Sequence, residues 1–310
     1  MRSMALSLAA SLCWLGASVA AEMPEELAEA VKKIGPAINP PETAKLYGSL
    51  HAKEPYRNVV VSRDETYGTD ARNRLDVFRP TSSAGALPVL IFVHGGGYER
   101  GDKRAPADSP FYDNVMLWAA GNGMVGVNMT YRLAPANPWP AGADDVSAAV
   151  AWTKANAARL GGDPNRVFLM GHSAGGTHVA AYIAHRQFHH GGGPGLAGAI
   201  LVSGTFELNP EIEVPGQRSY FGADGSKWAE RSSVKGLAES NLPLLVAHGE
   251  GDVPYYTRQA ETLKAALCAQ QRCPIFVTLK GHSHMSEIYS VNTSDTSLTQ
   301  PLLAFIKSGQ

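Results

Sequence analysis

The stretch from Arg166 to Gly176, RVFLMGHSAGG, admits few folds around it. Val167, Phe168, Leu169 and Met170 form a short apolar run, the pattern of a strand covered on both faces. Gly171-His172-Ser173-Ala174-Gly175 follows as a G-x-S-x-G, and a helical pattern runs on from Thr177 through His185. A strand that turns sharply into a helix at this motif holds Ser173 on the bend, its hydroxyl exposed at the sheet's edge. Glycine is needed at 171 and 175 because side chains there would collide as the helix turns back past the strand. Glycine and serine are common, so the motif alone is a weak signal. The competing reading is a tight Gly-rich turn with a bystander serine, and the partners of an activated serine must decide.

On both sides of this stretch strands and helices alternate. Strands are expected at Asn58–Val61, Leu75–Phe78, Val89–Val93, Met124–Thr130, Ala199–Val202, Leu244–Ala247 and Ile275–Leu279. Helical patterns cover Phe111–Ala120, Ala141–Leu160, Tyr256–Leu267 and Ser297–Ser308. This alternation predicts an α/β fold, a mostly parallel central sheet with helices on both faces. The turn-rich DETYGTDAR (64–72) joins the first two strands, and Thr205–Leu242 reads as irregular. Residues 22–57 are polar and proline-punctuated, with a helical stretch Glu25–Ile34 and a break at Pro40-Pro41. They are too few for a separate domain and are expected to form an arm or flap on the body at 58–310.

Residues 1–21 have another character. Arg2, the apolar Met4–Leu15 and the small Ser18-Val19-Ala20-Ala21 read as a secretory signal peptide, too short and serine-broken to anchor in a bilayer. The mature chain is therefore expected to be exported, periplasmic or secreted, without a membrane span. A formal net charge of −1 with no block of like charges speaks against nucleic acid as a partner. Cys268 and Cys273, in CAQQRC, are able to pair in an oxidising compartment. So small a loop would contribute little entropic stabilisation, and no second ligand pair lies at zinc spacing.

A serine hydroxyl is a weak nucleophile until a base takes its proton, and the base needs an acid to orient it. In an open α/β sheet these groups come from loops at the carboxyl ends of the strands. After Leu244–Ala247 comes His248-Gly249-Glu250-Gly251-Asp252. Asp252 is the better acid, because Gly251 lets the chain bend and Val253-Pro254 starts the next helix. Glu250 is the second choice, and a mere helix cap is the alternative role for Asp252. After the following strand, Gly281-His282-Ser283-His284-Met285 offers two imidazoles, which spacing leaves equal as the base. A metal site at this H-x-H lacks a supporting carboxylate or cysteine cluster. His172 is set aside because neighbours of the serine on a sharp bend point away from its hydroxyl. His178, His185, His189 and His190 read as surface or helix-end residues. His94-Gly95-Gly96-Gly97 follows a central strand, and the N–H groups of Gly96 and Gly97, with that of Ala174, are the expected oxyanion donors.

Together these pieces resemble the hormone-sensitive-lipase-like branch of the α/β-hydrolases, also called the α/β-hydrolase fold-3 group. The matching segments are HGGGY (94–98), YRLAPANPWPAGADD (131–145), GGDPNRVFLMGHSAGG (161–176), HGEGD (248–252) and GHSHMSE (281–287). DETYGTDARNRLDVF (64–78) also resembles formamidase-like and small-esterase members. The resemblance implies the α/β-hydrolase fold and hydrolysis of a small-molecule carboxylic ester, without metal or organic cofactor. It makes Ser173 the nucleophile and Asp252 the acid, in the Ser…Asp…His order of that fold. It favours His284 over His282 as the base, since the related pattern places the base before an apolar residue, here Met285. His94 and Arg132 become loop braces. The chain departs from many members at His172, where they carry an acidic residue, and at Met285, where they carry an aromatic one. Little room for a large lid remains, so short-to-medium or aromatic esters are expected, with Tyr98, Tyr220, Phe221, Trp228, Tyr255 and Tyr256 as candidate pocket residues. The rival readings are an amidase or arylformamidase on the same triad, and a non-catalytic hydrolase-like binding protein. Oligomeric state stays open.

Overall fold

The computed structural model describes residues 22–308 apart from 84, 105, 107 and 213; the expected signal peptide at 1–21 lies outside the described residues. One sheet contains β1 (Val59–Thr66), β2 (Arg74–Pro80), β3 (Leu87–Val93), β4 (Val125–Met129), β5 (Gly162–His172), β6 (Gly198–Val202), β7 (Leu244–Gly249) and β8 (Ile275–Leu279). Their spatial order is β1-β2-β4-β3-β5-β6-β7-β8. β2 runs antiparallel to both β1 and β4, and every later pairing is parallel.

The continuous apolar runs of the central strands follow from cover on both faces. Along β5, Val167 and Leu169 enter one core while Phe168 and Met170 enter the other; β3 divides Ile91 from Phe92 in the same way. The first core is closed by α4 (Ala141–Asn156), α5 (Ala174–Ala184), α8 (Val234–Glu239) and α9 (Pro254–Ala269). The second takes residues from α3 (Asp113–Gly121), α10 (Ser286–Tyr289) and α11 (Thr299–Ser308). It also takes Val31 of α1 (Glu25–Ile34) and Tyr47 of α2 (Pro40–Tyr47).

Three expectations need correction. Pro40-Pro41 does not break the chain but opens α2, where proline's missing N–H is harmless and Asn39 Oδ1 accepts from Glu42 N at 3.3 Å. β1 runs on through Thr66, into the stretch read as a turn, past an irregularity between Ser62 and Glu65. Thr205–Leu242 holds α6 (Gln217–Phe221), α7 (Trp228–Arg231) and α8, each too short to print a helical period in the sequence. Cys268 and Cys273 are joined, with Sγ–Sγ 2.08 Å and Cα–Cα 4.2 Å, between α9 and β8.

The register places the loops that matter. Val93 pairs with Gly171, so the glycine loop after β3 and the turn after β5 begin side by side. His172 pairs with Val202 and Val202 with Ala247, which lines up the loop after β7 on the other side.

Candidate active site

Ser173 sits between β5 and α5 with φ 57° and ψ −125°, a backbone conformation that costs energy in any residue but glycine. The surroundings enforce it. A Cβ at Gly171 would lie 2.4 Å from Gly175 O, and one at Gly175 only 2.1 Å from Val93 O. Both glycines are therefore required by close backbone approach, as expected.

The bend opens into a cleft of about 400 Å³. Gly95, Gly96, Gly97, His172, Ser173, Tyr256 and His284 are among the residues that line it. Gly96 has φ +132°, and a Cβ there would lie 2.0 Å from Arg100 O. The N–H groups of Gly96 and Gly97 donate to no backbone carbonyl among the described residues. Ala174 opens α5, where the first N–H groups lack an intrahelical partner.

His284 Nδ1 lies 3.0 Å and 3.1 Å from the two carboxylate oxygens of Asp252. Its Nε2 is buried and has no hydrogen-bond partner among the described residues. Asp252 also accepts from the Ser203 hydroxyl at 2.6 Å and from Val253 N at 2.6 Å. Burial works against its charge, but His284, Ser203 and Val253 outweigh burial and hold the carboxyl below its ordinary value. Of the two imidazoles left open by spacing, the structure brings His284 to Asp252. His282 is turned elsewhere: Nε2 lies 2.9 Å from Asp295 Oδ2 and 3.1 Å from Ser297 Oγ, and Nδ1 lies 3.2 Å from Ser286 Oγ. Glu250 accepts from Gly281 N at 3.0 Å at the exposed rim of the same loops.

His94 and Arg132 brace loops. The His94 ring stacks on Tyr131 at 4.4 Å, and Arg132 pairs with Asp145 at 2.9 Å. Three expectations about the surroundings differ. His178 is not a surface residue: α5 is covered on all sides, and the ring is buried between Tyr98, Tyr131 and Tyr220. Burial there pulls its imidazole down to about 3. Of the six aromatic candidates only Tyr256 lines the cleft. Tyr98, Tyr220, Phe221 and Trp228 instead make a small core of their own, and the Tyr255 hydroxyl accepts from Gln217 at 3.0 Å. The aromatic walls that sequence reasoning missed are Phe111, Tyr112 and Tyr289. Finally, the His172 ring does reach the site, 4.8 Å from that of His284, with Nε2 2.8 Å from His284 O.

A carboxylate, unforeseen from the H-x-H alone, lies beside these rings. His172, His284 and Glu287 each place one ligand atom within 4.8 Å of the others. His172 Nε2 faces the His284 carbonyl oxygen at 2.8 Å, a contact that needs its N–H and leaves no lone pair there for a metal.

Sheet order and a strained serine at this bend define an α/β-hydrolase. A family model described as BD-FAE matches residues 75–196. The carboxylesterase NlhH of Mycobacterium tuberculosis is 38% identical over 135 residues, 42% of this chain and 40% of that protein. The probable carboxylic ester hydrolase LipM of the same organism is 37% identical over 239 residues, covering 70% of this chain and 54% of LipM. The chain thus spans about two-fifths to a little over half the length of these two relatives. In fold it is similar to a structure titled Bacterial Heroin Esterase (TM-score 0.69, 20% identity, 92% of this chain and 97% of that one). A fungal esterase structure from Rhizomucor miehei gives TM-score 0.70 at 20% identity, over 93% and 98%. The chain has the α/β-hydrolase fold, and these matches support a place in its hormone-sensitive-lipase-like branch.

Proposed function

We propose that this chain is a serine hydrolase of small carboxylic esters that works through an acyl-enzyme. The observation that carries the reading is His284, held by Asp252 through Nδ1, with Nε2 unpartnered in the cleft that contains Ser173. In this scheme His284 Nε2 takes the proton from Ser173 Oγ as it attacks the ester carbonyl. The N–H groups of Gly96, Gly97 and Ala174 receive the developing oxyanion, each worth about 10²–10³ in rate. His284 returns the proton to the departing alcohol, and water repeats the sequence on the acyl group. Asp252 stays ionised and keeps the imidazole oriented. Relatives named carboxylesterase and carboxylic ester hydrolase support the choice of ester.

The cleft's size and aromatic lining favour short-to-medium or aromatic esters. Ile38 and Pro40 complete its rim, which supports reading residues 22–57 as an arm of the catalytic unit at 58–310. A series of p-nitrophenyl esters from acetate to palmitate, run on wild type and Ser173→Ala, tests the chain-length preference and the nucleophile. Turnover should be greatest at short or medium length and should vanish in Ser173→Ala. A preference for palmitate, or a Ser173→Ala enzyme retaining a tenth of the rate, would overturn the reading.

A further inference from the structure

The acyl-transfer scheme leaves one buried acid beside the site without work. Glu287, on α10 three residues beyond His284, is fully buried. Its Oε1 lies 3.2 Å from His172 Nε2, the same nitrogen that lies 2.8 Å from the His284 carbonyl oxygen. No lysine or arginine pairs with Glu287 among the described residues, and neither of its oxygens makes a well-formed hydrogen bond there. The groups facing it are His172 from β5, Ser203 from the end of β6, Asp252 from the loop after β7, and His282 and His284 from its own loop.

Two carboxyls therefore flank one imidazole, and their surroundings treat them differently. Asp252 is bonded by His284, Ser203 and Val253 N, all of which favour its charge. Among the described residues Glu287 has only the Ser203 hydroxyl to turn to, and that hydroxyl already donates to Asp252 at 2.6 Å. His172 is a poor counter-ion, because burial lowers its imidazole to about 4 and leaves it neutral. Burial first, and the Asp252 charge second, raise the Glu287 carboxyl to about 8. Two negative charges facing each other in a dry site oppose one another, which favours one acid ionised and the other neutral.

Resting on the roles given above to Asp252 and His284, we propose that Glu287 is a positioning residue that works as the neutral acid. It fills the space between His172 and the Asp252–His284 pair, fixes the His172 ring that supports the His284 main chain, and leaves Asp252 as the single negative charge on the imidazole. When Glu287 loses its proton, a second negative charge faces Asp252. The carboxylates repel, and the geometry that holds His284 is lost. Activity should accordingly fall on the alkaline side as Glu287 ionises.

The test compares kcat/KM against pH for wild type, Glu287→Gln and Glu287→Ala. Glutamine has the shape of the neutral acid but cannot ionise. It should stay within about threefold of wild type at pH 7 and lose the alkaline decline, while alanine should lose about tenfold or more at pH 7. A glutamine variant that keeps the wild-type alkaline limb would overturn the proposal. So would one that falls as far as alanine, or one that fails to fold, since a neutral isostere of a neutral acid should fold. Infrared difference spectra between wild type and Glu287→Gln at pH 7 read the proton without turnover. A protonated carboxyl band present only in wild type is expected, and its absence would refute the proposal even if the ester reading holds. An enzyme that shows the band but hydrolyses no ester would instead fail at the proposed function.

Discussion

At the scale of single residues, chemistry and architecture divide two neighbouring histidines. His284 and His282 were equal by spacing, and the preference for His284 came from the family pattern rather than from the residues themselves. The geometry supplies a physical reason: His282 spends both nitrogens on Asp295, Ser297 and Ser286, whereas His284 spends one on Asp252 and keeps the other. The two should therefore fail differently. His282→Ala leaves the buried Asp295 short of a partner and should cost about 2 kcal/mol of stability, read as a lower melting temperature, with kcat largely retained once folded. His284→Ala takes a partner from the buried Asp252 in the same way and should also melt lower, but it loses turnover even when folded. The reverse pattern would exchange their roles. Glu287 and His172 were not legible, because the groups that surround them come from separate loops.

At the scale of elements, the sequence was most readable where one local rule acts. Buried parallel strands print apolar runs, and all the expected strands are present, including both edges of the sheet. The bend at Ser173 was legible because steric necessity writes itself as glycine at 171 and 175. Legibility failed where tertiary context overrides local pattern. Pro40-Pro41 looks like a break but serves as a helix start once Asn39 caps it. His178 looks polar enough for a surface, yet α5 has no exposed face to offer it. The short helices α6 and α7 bury Tyr220, Phe221 and Trp228 in a cluster that no helical period announces. The cleft's aromatic wall was missed for the same reason: Phe111, Tyr112 and Tyr289 come from distant segments and meet only in the fold.

For the whole molecule, the arm, the sheet and the four loops around the cleft act as one body. α1 and α2 share a core with α3 and α11 rather than standing apart. No helix among the described residues is long and apolar enough to cross a membrane. The Cys268–Cys273 bond suits an oxidising compartment, which supports the proposed export of this chain. N-terminal sequencing of protein recovered from its native host should begin at Glu22, and a chain still starting at residue 1 or 2 would count against export. The central claim is that Ser173 and His284 act as a unit. It is tested most directly by kcat on a short p-nitrophenyl ester for Ser173→Ala, His284→Ala and the double variant. Each single change should cost about 10⁶ in kcat, and the double no more than either alone, because a unit already broken has nothing further to lose. A double variant whose loss equals the product of the two single losses would contradict the account.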